Sequence, residues 1–233
     1  MEIIAEIGQN HNGDMELAKD LIVAAKESGA DVAKFQVFDA PETFGKKNNP
    51  WFDYNCKTQL SKENVFFLAE ECKKNNIEFM ASVFDIKFIK WLEDVNVKRY
   101  KIASRSIYDN KLVDALLKLN KPLIISLGFW KEKNFPKFES NNTLDYLYCI
   151  SKYPTKISEI DFKAIDFNLY GGFSDHTLGI SASIYAMLNG AKIIEKHFTF
   201  DKSLYGPDHE LSITPDELSV LTQFKEDLTD LKK

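Results

Sequence analysis

The sequence predicts an α/β fold, a closed (β/α)8 TIM barrel, from three observations. Eight short apolar runs recur from one end of the chain to the other, and helix-period patterns lie between most of them. The runs are largely continuous instead of alternating, which suits parallel strands covered on both faces. The length of 233 residues is close to the ~250 that such a barrel uses as one unit. Residues 1–233 therefore read as a single barrel domain. Strand order is not written in the pattern, so a doubly wound open sheet is the competing fold.

The strand runs are Ile3–Ile7, Val32–Phe38, Glu78–Phe84, Arg99–Ser104, Leu123–Leu127, Leu144–Ser151, Gly172–Asp175 and Lys192–Phe198. Between them, Ala18, Leu21, Ile22 and Ala25 form one helical stripe, and Val65, Leu68, Ala69 and Cys72 form another behind Ser61 as N-cap. Asp109 caps a helix carrying Leu112, Val113, Leu116 and Leu117, and Thr177 one carrying Ile180, Ile184 and Met187. In the last helix Thr214 is the N-cap, Pro215 the first helical residue and Glu217 closes a capping box, with Leu218, Leu221, Phe224 and Leu228 as the stripe. Two stretches break the rhythm. Asp39–Leu60 is long for a strand-to-helix connection and reads as a functional loop. Phe129–Thr143 holds Pro136 and paired asparagines, so its helix is short or absent.

A net charge of −5, with 44% hydrophobic and 28% charged residues, describes a folded soluble chain and argues against disorder. The mild acidity makes nucleic acid and anionic membranes poor default partners. No apolar run approaches the ~20 residues that cross a bilayer, and Met1-Glu2-Ile3-Ile4 does not open a signal peptide. Cys56, Cys72 and Cys149, an odd number without CxxC spacing, read as reduced thiols of a cytoplasmic protein.

Catalytic groups of such barrels sit at the carboxyl ends of the strands. Polar residues late in the apolar runs are therefore the candidates. They are Glu6; Lys34 and Gln36; Ser82; Lys101, Ser104, Arg105 and Ser106; Ser126 and Gly128; Ser151 and Tyr153; Ser174, Asp175 and His176; Glu195, Lys196 and His197; and then Asp208 and His209. Lysines inside apolar strands require anions nearby. Two readings stand for Lys34 and Lys101: a structural network with Glu6 and Glu195, or a cradle for a bound phosphate or carboxylate. His176 and His197 on neighbouring strands can share a metal, with Glu6, Asp175 and Asp208 available to complete a site suited to Mn, Fe or Zn.

The motifs AEIGQNHNG (5–13), AKFQ (33–36), YKIAS (100–104), YP (153–154), FSDHT (173–177), KHFT (196–199) and GPDH (206–209) resemble, together and in order, the sialic acid synthase family. The resemblance implies metal-dependent condensation of phosphoenolpyruvate with an aldose, giving a 2-keto-3-deoxy sugar acid and phosphate. By matching position it implies that His176 and His197 bind Mn2+ or Mg2+. Lys34, Ser82, Lys101, Ser104, Ser126, Ser151 and Ser174 would hold phosphoenolpyruvate, while Glu6, Gln36, Tyr153 and Asp208 would line the sugar and metal side. Glu6, Lys34, Lys101 and Asp208 are the expected catalytic residues. Ser151 stands where asparagine is common, and Ser82 where threonine is common.

Three departures qualify the resemblance. The family's C-terminal antifreeze-like domain and its leader before the first strand are not expected in this chain. A sugar-gripping glutamate of many members aligns with Ser106, beside Arg105. The phosphoenolpyruvate half is thus expected to be kept and the sugar half altered. The alternative function is a catalytically silent barrel that partners or regulates a full-length synthase. Trp51, Phe52, Tyr54, Trp130 and Phe135 in the two irregular stretches suit a cover over the site or a homodimer interface. Arg105 has two readings: outward and paired with a helix carboxylate, or inward and selecting an anionic aldose.

Overall fold

The computed structural model describes residues 1–231. Eight parallel strands close into one barrel in chain order. They are β1 (Glu2–Gly8), β2 (Val32–Val37), β3 (Glu78–Val83), β4 (Tyr100–Ile102), β5 (Leu123–Ser126), β6 (Leu144–Cys149), β7 (Gly172–Asp175) and β8 (Ile193–His197). β8 returns to β1, with Glu195 opposite Ile4 and His197 opposite Glu6. This closure excludes the open sheet. The strand expected over Arg99–Ser104 shortens to three residues, because the chain turns into a 3-10 helix at Ser104–Ser106.

Alternation along the strands builds the interior in layers. At the amino end, Arg99 forks onto Glu2 at 2.6 and 2.9 Å and onto Glu78 at 2.8 and 3.3 Å. Two residues further along, Ile4, Val32, Met80, Ile124, Leu147 and Ile193 form an apolar plug, separate from the outer core. Two residues beyond that lie Glu6, Lys34, Ser82, Lys101, Ser126, Cys149, Ser174 and Glu195, all buried. The intervening residues, among them Ala5, Phe35, Ala81, Ile102, Ile125, Phe173 and Ile194, face the helices and make the larger core.

The helices are α1 (Met15–Glu27), α2 (Ala40–Thr43), α3 (Phe52–Thr58), α4 (Lys62–Lys74), α5 (Ile89–Asp94), α6 (Asn110–Leu117), α7 (Ser181–Leu188) and α8 (Pro215–Leu231). Ser61 and Asn64 form a capping box on α4, Asp109 caps α6, and Thr214 exchanges bonds with Glu217 at the start of α8. Thr177 does not cap α7. Its backbone N–H binds Asp175 Oδ1 instead, and the helix begins only after Ile180, without a side-chain cap. Asp39–Leu60 is not irregular throughout, since it contains α2 and α3. Among the described residues no α-helix follows β5 or β6, and no helix is long and apolar enough to cross a membrane.

Candidate active site

The buried polar layer above the apolar plug is an ion-paired floor. Lys34 Nζ lies 2.7 Å from Glu6 Oε2 and 3.4 Å from Glu195 Oε2, and donates to Ser82 Oγ at 3.1 Å. Lys101 Nζ donates to Ser126 Oγ at 2.7 Å and stands 3.6 Å from Glu195 Oε1. Ser174 Oγ donates to Glu195 at 2.8 Å, and Gln36 Nε2 donates to Glu6 at 2.8 Å. Each of these residues is the inward partner of an outward apolar neighbour, so alternation alone brings them together.

The charges balance in sign but not in comfort. Burial works against the Glu195 charge, but Lys101 and Lys34 overcome it and hold its carboxyl down at about 2. Burial also opposes the Lys34 ammonium, and Glu195 and Glu6 more than restore it. Lys101 is less well compensated, and burial shifts it downward despite Glu195. Burial raises Glu6 despite Lys34. The network expected of a purely structural reading is therefore present, and an incoming anion must share these lysines with Glu6 and Glu195.

Ser104, Cys149, Ser151 and Gly128 form the next part of the wall. Ser104 Oγ accepts from Gly128 N–H at 3.0 Å and lies 3.6 Å from Cys149 Sγ, which is 3.9 Å from Ser151 Oγ. A Cβ on residue 128 would collide with the Ser151 and Ser104 hydroxyls, so glycine keeps this corner open. Cys149 and Glu195 were readable only as a plain thiol and a network acid. Their spacing, two residues before Ser151 and His197, is the signal that puts them on the same face.

Above the floor the imidazoles of His176 and His197 face one another, with ring centroids 5.7 Å apart, and Tyr153 packs 4.1 Å over His176. His176 Nδ1 meets the Ile150 carbonyl at 2.8 Å. A carbonyl only accepts, so Nδ1 carries a proton, and in the neutral ring Nε2 keeps a free lone pair. Burial opposes the imidazolium, but Cys149 and the Ile150 carbonyl raise His176 above the usual imidazole value. His197 Nδ1 is buried without a hydrogen-bond partner, 4.0 Å from Asp208 Oδ2. Burial, reinforced by His176 and Lys34, holds His197 well below the usual imidazole range, whereas burial and Glu6 push Asp208 up to about 6. A neutral imidazole with an orphaned nitrogen and a carboxylate without a cation fit a divalent ion of borderline softness. Two ligands on one ion at ~2.1 Å stand roughly 3.0–3.4 Å apart, closer than this pair. Accordingly, among the described residues no three His, Cys, Asp or Glu side chains close a metal site by themselves. Water and substrate would supply the remaining ligands.

The cavity has two connected parts. The inner one, about 50 Å³, is lined by the floor residues with Ser104, Tyr153, His176 and His197. The outer one, about 550 Å³, shares Gln36, Phe84, Ala103, Ser104, Tyr153 and His197 with it and adds Phe44, Trp51, Arg105, Phe129, Ser151 and Asp208.

Ser106 is not brought to either part. It is buried in the 3-10 turn, where about 120° separates successive side chains, so Ser104, Arg105 and Ser106 point three ways. Among the described residues Arg105 forms no ion pair with a helix carboxylate. Its guanidinium carbon sits 4.6 Å from the Phe44 ring centroid and 5.9 Å from that of Phe84. Asp175 and Lys196 turn outward from the barrel. They form a buried pair at 3.2 Å, with Ser183 donating to Asp175 at 2.6 Å. His209 joins Thr199 to Asn12, at 2.7 and 3.0 Å, and tethers two loops. Of the five aromatics expected as cover, Trp51 lines the cavity and Phe52, Tyr54, Trp130 and Phe135 do not; Phe129, at the start of the second stretch, lines it as well. Trp130 instead stacks on Tyr108 at 5.3 Å, and Phe135 packs on Tyr146 and Tyr170 at 5.2 and 4.7 Å, along the barrel wall.

A closed parallel barrel with its buried ionic layer at the carboxyl ends of the strands defines the class, a (β/α)8 barrel with a polar site in the usual place for that fold. The NeuB family profile matches residues 21–231, and the chain belongs to that family. It is 40% identical over 249 residues to the N,N'-diacetyllegionaminic acid synthase of Legionella pneumophila, a match covering 95% of this chain and 70% of the relative. It is 35% identical over 244 residues to the N-acetylneuraminate-9-phosphate synthase of Drosophila melanogaster, covering 94% and 66%. The crystal structure of the N-acetylneuraminic acid synthetase of Leptospira borgpetersenii superposes with a TM-score of 0.91 at 32% identity, over 98% of this chain and 84% of that one.

Proposed function

We propose that this chain condenses phosphoenolpyruvate with an aldose to form a 2-keto-3-deoxy sugar acid and phosphate. The observation that carries the reading is the floor itself. Two lysines and a set of serine hydroxyls converge at the strand ends, directly beneath two imidazoles that share the same cavity. The family relationship to sugar-acid synthases supports the same chemistry.

In this reading Lys101 and Lys34, with Ser82, Ser104, Ser126, Ser151 and Ser174, hold and neutralise phosphoenolpyruvate. Lys101 has the most to gain, because burial leaves it the less compensated of the two. C3 of phosphoenolpyruvate attacks the aldehyde carbon, and the aldehyde oxygen takes up a proton. Water adds at C2, and the resulting tetrahedral carbon expels phosphate by C–O cleavage to leave the ketone. Glu6, whose carboxyl is raised by burial, orients that water or accepts its proton. His176 and His197, beside Asp208, would hold a Mn2+ or Mg2+ ion, which would supply Lewis acidity for the addition. The silent-barrel alternative accounts for the paired floor but gives no role to the orphaned His197 nitrogen.

The test is phosphate release from phosphoenolpyruvate with a panel of aldoses, after chelation and after Mn2+ is restored. The expected result is aldose-dependent release that chelation abolishes. Phosphoenolpyruvate left intact with every aldose would overturn the synthase reading, and full turnover after chelation would overturn the metal role.

A further inference from the structure

The chain has two arginines, and they are held in opposite ways. Arg99 is bonded to two carboxylates. Arg105 has no ion-pair partner among the described residues. It spends one donor, Nη2, on the Thr43 carbonyl at 2.9 Å. Phe44 and Phe84 cover the guanidinium plane, as stacked arginines commonly allow, which pins the group and leaves its remaining N–H edge free.

Its position along the chain matters as much. Lys101 lines only the inner cavity, Ala103 and Ser104 line both parts, and Arg105 lines only the outer one. This segment thus runs from the floor outward, and whatever Arg105 binds belongs to a part of a substrate that lies in the outer cavity, away from the floor lysines. Arg105 is the only lysine or arginine lining the outer cavity among the described residues. The space, about 550 Å³, falls within the ~300–1,000 Å³ of small-molecule sites. Its aromatic wall of Phe44, Trp51, Phe84, Phe129 and Tyr153 suits the apolar faces of a sugar ring. A free planar fork in the wall of such a space is a recognition group for a phosphate or carboxylate.

We propose that Arg105 selects an aldose bearing a phosphate or carboxylate at the end remote from its carbonyl. The proposal rests on the synthase reading for the word aldose, but the cation and its free edge do not depend on it. Calorimetry without phosphoenolpyruvate, in Mn2+, separates the two. The probes are N-acetylmannosamine, its 6-phosphate and the corresponding uronic acid, on the native protein, Arg105→Gln and Arg105→Lys. The native protein should bind at least one charged sugar about tenfold or more tightly than the neutral one, as one charge-assisted contact permits. Whichever charged sugar binds better identifies phosphate or carboxylate. Arg105→Gln should erase the preference, and Arg105→Lys should retain only part of it, because lysine has neither fork nor stacking plane. Thermal melting checks that both variants fold. A native protein that does not prefer either charged sugar, or an undiminished preference in Arg105→Gln, would overturn the proposal. In turnover the loss should appear in KM for the charged aldose more than in kcat. Failure of every aldose to release phosphate would count against the synthase reading alone.

Discussion

The two ends of this barrel hold charge in contrasting ways. At the amino end Arg99, Glu2 and Glu78 form a bidentate network at the rim, where side-chain exposures of 14–24% let water share the charge. Nearby, Asp31 Oδ2 accepts from Ile3 N–H at 2.7 Å and from Lys225 Nζ at 3.0 Å. Toward the carboxyl end of the barrel, Glu6, Lys34, Lys101 and Glu195 lie at 2–7% exposure beneath an imidazole nitrogen with no partner. Rim charges cost little to keep and tie strands together. Buried ones cost several kcal/mol each before pairing, and apolar residues of similar size would often serve stability as well. The difference teaches which end is built for the fold and which for a ligand.

The largest effect should come from the carboxyl end. His197→Ala should lower phosphoenolpyruvate turnover by roughly 100-fold or more, the scale of a lost polarising interaction of several kcal/mol. Circular dichroism should show the barrel intact. A variant with native turnover would remove the contrast between the ends. Next, Lys101→Met should weaken phosphoenolpyruvate binding about tenfold or more by calorimetry, the worth of a charge-assisted contact. Lys34 and Ser174 still hold Glu195 in that variant.

Arg99→Met is the matching change at the other end. It should cost about 1–3 kcal/mol of stability in urea unfolding, because Glu2 and Glu78 lose their partner while staying partly hydrated. Its kcat and KM should be native. A changed KM with unchanged stability would reverse the roles assigned to the two ends.

A finer probe of burial is His11, in the loop after β1. Its Nδ1 accepts from Gly13 N–H at 3.1 Å, and burial, weakly opposed by Asp14, lowers it from 6.5 to about 4. Between those values the unfolded chain takes up a proton that the native state refuses. Stability should therefore fall as pH drops through this window, by up to about 3 kcal/mol, and this loss should level off below it. His11→Asn keeps an acceptor and cannot titrate, so its unfolding midpoint should fall less between pH 7 and pH 4.5. An identical pH dependence in both proteins would show that His11 is not the group responsible.

Much of this arrangement is legible along the chain, because the physics behind it is local. Continuous apolar runs announce β1 to β8, and Ser61, Asp109 and Thr214 announce helix starts through bonds that span only three residues. Period-two alternation carries Lys34, Ser82, Ser126, Ser174 and Glu195 to one face without any knowledge of closure. The motifs around Glu6, Lys101, His176 and His197 suffice for the family. Tertiary structure alone decided the rest, because those outcomes depend on which distant segments meet. Closure of β8 on β1 set Glu6 and Glu195 against Lys34, and so paired the lysines before any ligand arrives. The early end of β4 turned Ser106 into the wall. Phe44 and Phe84, 61 and 21 residues upstream of Arg105, met over its guanidinium and kept it in the outer cavity with its edge free.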